Sequence, residues 1–335
     1  MIKLFKIKVD MNNIMIKIDL KDRKILYQLD INSRQSLSQI GKKVGLPKNV
    51  VAYRLKKLEE KGIINCYYTV IDSFKLGYTS LRLYLTYQYT TPEIQKEIID
   101  YFKNNKYTWW FGAFEGRFDL AVIMWVKDLN DFYSFWKETL NRYRYYFQDQ
   151  VFSIYIKILL YRYSYLLDEY NIKDRDRYEL IGGRKKVDID DIDFRILKIL
   201  SENARMPVTE IANILQTTPT VVNYRINKLL KKNIIQGFRI NIDISKLGYQ
   251  WFKVDIDLKD YSKRRNILEY IRTNPHLIIV DESAGVADLE LEFHLKNLNE
   301  LHTIMEDINS KFPNIVKNYR YIYATNVYKM HYMPE

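Results

Sequence analysis

A single cysteine, Cys66, occurs in 335 residues, so no intrachain disulfide can form. No CxxC or Cys/His cluster is present to bind zinc, and the near absence of cysteine fits a reducing, cytoplasmic setting. No run approaches 18 uncharged apolar residues, which excludes a helical membrane span. Residues 1–17 alternate Lys with Ile, Leu and Phe and lack the continuous apolar stretch of a signal peptide; they read as an N-terminal extension. Glycine-rich phosphate loops, HExxH and a Ser/His/Asp set are also missing, so no catalytic residue, metal or cofactor is expected. All four histidines, His276, His294, His302 and His331, lie in the C-terminal half. His294 falls in an alternating stretch, which favours a partly buried structural role over catalysis.

Charge of one sign is in excess. Lys and Arg number 53 against 41 Asp and Glu, a formal balance of +12. Such an excess favours a polyanionic partner, nucleic acid or an anionic membrane surface. Apolar residues make up 47% of the chain, enough for several packed cores.

The chain repeats itself. Shifted by 171 positions, residues 18–78 fall on 189–249 without a gap, with 24 identities in 61 positions. Val50, Val51, Tyr53 and Arg54 meet Val221, Val222, Tyr224 and Arg225, and Lys75 to Tyr78 meet Lys246 to Tyr249. The match continues more weakly to Asp119 and Leu120, which meet Asp288 and Leu289. One ancestral unit has therefore been duplicated.

In each unit, three helical patterns come first. Ile25, Leu26 and Leu29 follow the capping acids Asp19 and Asp22; a second helix starts near Ser36 and ends at Gly45. A third runs from about Pro47 to Lys61, with Val51, Leu55 and Leu58 on one face, and stops at Gly62. An extended stretch, 63–71, is expected to complete a winged helix-turn-helix with a strand pair. The rest of each unit reads strand, helix, strand, strand, helix, strand, a ferredoxin-like βαββαβ pattern. Its clearest strand alternates Phe252, Val254, Ile256 and Leu258 with Lys253, Asp255, Asp257 and Lys259. The expected class is α+β, with winged domains at 18–66 and 189–237 and ferredoxin-like domains at 67–167 and 238–335. A solvated linker is expected at 168–188, where Arg184 to Lys186 are candidates for a phosphate contact. The amphipathic strand at 252–258 needs an apolar surface against it, so the two ferredoxin-like sheets are expected to pair. That pairing occurs within one chain, as a pseudo-dimer in a monomer, or between chains in a homodimer.

The third helix of each winged domain is the candidate recognition helix. Its DNA-facing residues are Lys48, Asn49, Ala52, Tyr53, Arg54 and Lys56 in copy one. In copy two they are Thr218, Thr220, Asn223, Tyr224, Arg225 and Asn227. Asn pairs with adenine, Lys reaches guanine and Thr touches a thymine methyl. Arg54 and Arg225 sit beside the core, and either a phosphate contact or an intradomain ion pair suits them. The positive excess is +6 over 18–78 and +3 over 189–249 but −2 over 250–335, so it concentrates where phosphates would be neutralised.

These residues resemble the leucine-responsive regulator/AsnC (Lrp/AsnC) family of prokaryotic, often archaeal, transcription factors. The resemblance rests on Ile18-Asp19 with Asp22, on Val51, Arg54, Leu55 and Leu58, on Ile63-Ile64, and on Lys75 to Tyr78. The second copy repeats it. The resemblance implies sequence-specific binding of double-stranded DNA and a ferredoxin-like (RAM-type) effector and dimerisation domain. It further implies blocking polymerase or recruiting a basal transcription factor, and a small-molecule effector such as an amino acid near Gly116, Asp119, Gly285 and Asp288. With two unlike readers in one chain, an asymmetric promoter site is expected. The chain departs from the family in its fused pair, in its diverged helix caps (Pro47 against Thr218-Pro219), and in the loop Gly285 to Asp288. A second resemblance is to siroheme decarboxylases, which use the same duplicated unit around a tetrapyrrole; Trp109, Trp110 and Phe111 could line such a pocket.

Overall fold

The computed structural model describes residues 15–183 and 185–334. Residues 1–14 of the N-terminal extension and Arg184 lie outside the described residues. Three helices open the description: α1 (Leu20–Ile31), α2 (Leu37–Val44) and α3 (Lys48–Glu60). The Asp19 carboxylate accepts from the Asp22 N–H at 2.8 Å, and Ser36 and Gln39 cap α2 reciprocally. These bonds satisfy N–H groups that a helix start leaves without partners. Gly45 ends α2 at φ +67°; its counterpart in copy two, Gln216, holds φ +53° without a glycine's freedom.

Copy one continues with β1 (Ile64–Ile71), β2 (Thr79–Tyr87), α4 (Pro92–Asn104) and β3 (Thr108–Gly116). It closes with β4 (Leu120–Val126), α5 (Leu129–Tyr143) and β5 (Phe147–Tyr161). After β6 (Tyr178–Gly182), copy two begins with α6 (Asp191–Glu202), α7 (Val208–Ile214) and α8 (Pro219–Lys231). It proceeds through β7 (Ile235–Ile242), β8 (Gln250–Leu258), α9 (Arg264–Ile271), β9 (Leu277–Ala284), β10 (Leu289–Leu295), α10 (Leu298–Lys311) and β11 (Val316–Met330).

Two expectations are corrected. The strand following each recognition helix does not pair within its own copy. Instead β1 and β7 pair with each other, antiparallel, with Tyr67 opposite Ile240 and Thr69 opposite Phe238. The cores explain why. Ile240 and Ile242 of copy two pack among the α1–α3 residues Ile25, Leu29, Val51 and Leu55. In exchange, Ile71 and Leu76 pack among Ile196, Leu200, Val222 and Ile226. Each helical trio is completed by the other copy's strand. The linker is likewise not wholly solvated. Tyr178–Gly182 adds to β5, and Arg175, 1% exposed, donates to the carbonyls of Arg272, Arg162 and Leu277.

The two ferredoxin-like sheets join inside the single chain. Strand order runs β2-β4-β3-β11-β8-β10-β9-β5, and β5 pairs back onto β2, closing a ring of strands with β6 outside it. The long strands make the joints: β5 pairs with β2 through Ile154 and with β9 beyond it, while β11 passes from β8 to β3 near Ile322. A third expectation is corrected as well: the apolar face of β8 does not meet the partner sheet. Phe252, Val254 and Ile256 pack with Ile267 of α9 and with Leu301 and Ile308 of α10. The alternate residues, Lys253 and Asp255, face the ring interior and are buried. Strand β2 repeats the arrangement, with Leu83 and Leu85 against α4 and α5 while Arg82 and Tyr84 are buried on the other face.

Candidate nucleic-acid interface

Helices α3 and α8 present matching apolar faces inward and unlike polar faces outward. Val51, Leu55 and Leu58 are buried in copy one; Val222, Ile226 and Leu229 are buried in copy two. Outward, Lys48, Asn49, Tyr53 and Lys56 are exposed in α3, and Ala52 is half-buried. On the second helix Thr220, Asn223, Tyr224 and Asn227 are exposed. Thr218 is exposed too, but its hydroxyl accepts from the Val221 N–H and so serves as the cap. Pro47, its counterpart, makes no side-chain cap. Lys57 lies over the Tyr53 ring at 4.5 Å, holding one aromatic of the exposed face.

Arg54 and Arg225 belong to ion pairs within their domains. Arg54 Nη1 donates to Asp19 and Asp22 at 2.8 Å each; Arg225 Nη1 donates to Asp190 at 2.7 Å and Asp193 at 2.8 Å. The Arg225 guanidinium beside Asp190 holds its carboxyl below the usual range. Each pair ties the recognition helix to the first helix.

Arg34 and Arg205, which occupy matching positions in the repeat, were not among the candidates. Arg34 donates to the carbonyls of Ala204 and Met206 in copy two, and Arg205 donates to those of Ser33 and Gln35 in copy one. The two winged domains are thus clasped together, fixing the relation between α3 and α8. Identity at this position in both copies, despite divergence around it, was the available signal.

The proposed effector residues sit at equivalent structural joints. A Cβ on Gly116 would lie 2.6 Å from the Tyr321 carbonyl oxygen, and one on Gly285 would lie 2.7 Å from that of Phe152. Both glycines have φ near +120°. They allow a long strand of the opposite copy to pass. Asp119 accepts from the Tyr87 N–H at 2.6 Å and Asp288 from the Leu258 N–H at 2.7 Å, capping β2 and β8.

The other site-like feature is a cavity of about 240 Å³ lined both by residues of the ring and by residues of the β1–β7 pair, among them Tyr68 and Asn241. Trp109, Trp110, Trp125 and Trp251 line it together with Asp281, Glu292 and His294. Phe111 is instead in the core of copy one. His294 bonds Tyr165 Oη through Nδ1 at 2.7 Å, and burial pushes it down to about 3. It is neutral and structural. Among the described residues no group of His, Cys, Asp and Glu could hold a metal ion, and no helix is long and apolar enough to cross a membrane.

A winged helix-turn-helix DNA-binding family matches residues 18–65 and 189–236. The HTH-type transcriptional regulator LrpA of Pyrococcus horikoshii is 36% identical over 114 residues, which are 34% of this chain and 79% of that protein. LrpA of Pyrococcus abyssi matches to the same extent. Among solved structures, the siroheme decarboxylase NirDL aligns over 92% of both chains at a TM-score of 0.62 and 15% identity. A second NirDL structure, in complex with an iron-uroporphyrin III analogue, aligns over 94% of both chains at 0.62 and 14%. At such identities the likeness is one of fold.

Proposed function

The chain belongs to the leucine-responsive regulator/AsnC family of transcription regulators with DNA-binding winged domains, and from that premise we propose that it reads an asymmetric double-stranded DNA site. The observation that carries this reading is the contrast between the two recognition helices. Their buried faces match, and their exposed faces offer Lys48, Asn49 and Lys56 in one and Thr220, Asn223 and Asn227 in the other. A homodimeric regulator reads inverted repeats because its two helices are identical. Here one chain supplies both helices, they differ, and the Arg34–Arg205 clasp links them. Near a promoter the bound chain blocks polymerase or recruits a basal factor, and a map of genomic occupancy against start sites separates these outcomes.

Selection from random duplexes tests the reading. The expected motif has two unlike halves about one helical turn, or a multiple, apart. Asn223→Ala should weaken one half by roughly 1–3 kcal/mol, and Lys48→Ala only the other. Affinity should fall by orders of magnitude between low and physiological salt. A motif with identical inverted halves bound by a single chain refutes the proposal.

An enzyme acting on a tetrapyrrole, on the precedent of NirDL, has less support. Uroporphyrin-type rings carry many carboxylates, whereas among the described residues no Lys or Arg lines the central cavity. Siroheme incubated anaerobically with the protein is expected to be recovered unchanged.

A further inference from the structure

The ring interior carries a charge imbalance on the wall of its aromatic cavity. Two cations, Arg82 and Lys253, face four carboxylates, Asp255, Asp281, Glu290 and Glu292, and all six are at least nine-tenths buried. Arg82 Nη1 donates to Asp281 at 2.9 Å and to Tyr155 Oη at 2.9 Å; its other nitrogens reach Glu290 and Ser153. Lys253 Nζ donates to Asp255 at 2.5 Å and Glu290 at 2.7 Å, and Ser283 also bonds Glu290. Both cations are therefore committed to Glu290, Asp255 and Asp281. Glu292 accepts from the Trp251 indole N–H at 2.9 Å and hydrogen-bonds its neighbour Asp281. Burial, and then the adjacent Asp281, push the Glu292 carboxyl well above its usual range.

Asp281 and Glu292 are the acids of this cluster that reach the cavity. Around them the wall is aromatic. Trp109 stacks on Trp125 at 4.6 Å, and Trp110 meets Trp251 edge-on at 5.1 Å. The Trp110 Nε1–H is buried and has no hydrogen-bond partner among the described residues. An unsatisfied buried donor is costly unless a ligand or water completes it.

We propose that this cavity binds a small organic cation, with a flat apolar body among the four indoles and one ammonium or amidinium nitrogen at the Asp281–Glu292 pair. Indole faces attract cations, and a low-dielectric site with surplus carboxylate rejects anions. The ligand's charge supplies the missing third cation of the cluster. This site is separate from the glycine–aspartate joints at Gly116 and Gly285, and it does not depend on the DNA-binding reading.

Isothermal titration of the full chain without DNA tests the proposal, using tryptamine, uncharged 3-ethylindole and anionic indole-3-propionate. Tryptamine should bind one per chain, at least tenfold more tightly than 3-ethylindole, and indole-3-propionate should give no saturable heat. Glu292→Gln, which keeps an acceptor and removes the ionisable group, should weaken tryptamine at least tenfold and leave 3-ethylindole unchanged. The wild-type comparison of the three probes stands without the variant. Equal affinity for tryptamine and 3-ethylindole, binding of the anion, or no saturable binding of tryptamine overturns the proposal. Undiminished tryptamine binding by a folded Glu292→Gln protein does so as well.

Discussion

Replacing Arg239 by alanine removes a guanidinium that ties α1, β5 and β6 together. Arg239 stands on β7 and is 2% exposed. Its Nε donates to Asp30 of α1 at 2.8 Å, its Nη2 to the Tyr161 carbonyl at 2.8 Å, and its Nη1 to Glu179 of β6 at 3.4 Å. Its plane also covers the Tyr163 ring at 4.9 Å. Asp30 is fully buried; without Arg239 it keeps the Tyr163 N–H, while Glu179 keeps Arg162. Breaking a buried pair by removing one partner leaves an uncompensated charge and costs about 3–5 kcal/mol. Loss of the packed aliphatic stem acts in the same direction. Urea unfolding followed by circular dichroism measures the loss. Adding Asp30→Asn removes the stranded charge, so the double variant should be more stable than additivity predicts, by about 1–3 kcal/mol. Ser201 matches Asp30 in the repeat, and its hydroxyl donates to the Lys198 carbonyl at 2.8 Å. Ser201→Ala should cost less than about 1 kcal/mol. A loss below about 1 kcal/mol for Arg239→Ala, or strict additivity with Asp30→Asn, refutes the view that this network holds the first winged domain to the ring.

Three further outcomes follow from local geometry. Gln216→Gly should stabilise the protein by up to about 1 kcal/mol, because a left-handed φ costs a side-chain-bearing residue that much or more; a lower urea midpoint contradicts this. Gly285→Ala should cost about 1–3 kcal/mol, since its Cβ meets the Phe152 carbonyl, and unchanged unfolding would show that β5 can retreat. His294, ordinarily near 6.5, is held at about 3 by burial, so between those values the unfolded chain binds a proton that the folded chain does not. Stability is therefore lost as pH falls below about 6.5. From pH 7 to 5 the wild type should lose about 2 kcal/mol more than His294→Gln, and equal losses would place His294 in contact with water.

The duplication, the α+β class and the third helix of each copy were legible in the sequence because each rests on local signals. Helical spacing at Val51, Leu55 and Leu58 survives whatever surrounds it, and 24 identities over an unbroken register of 61 residues identify a repeat without coordinates. Exposure of Asn223 and Lys48 followed from the same helical geometry. Partner choice was not legible. A strand's alternation identifies two faces but not what covers each, so Lys253 and Asp255 looked like a polar surface and prove to be buried inside a closed ring. The same ambiguity hid the exchange of β1 and β7 between copies, since hydrogen bonds along a strand edge are indifferent to sequence. Arg54 stood at the margin of its helix's core, and only the position of Asp19 and Asp22 on α1 assigned it to an ion pair. Asp281 and Glu292 stand on the neighbouring strands β9 and β10, but only ring closure brings Arg82 of the other copy against that wall. Sequence period determines which residues share a face; tertiary packing decides what that face meets, because burial and charge pairing are made across elements distant in the chain.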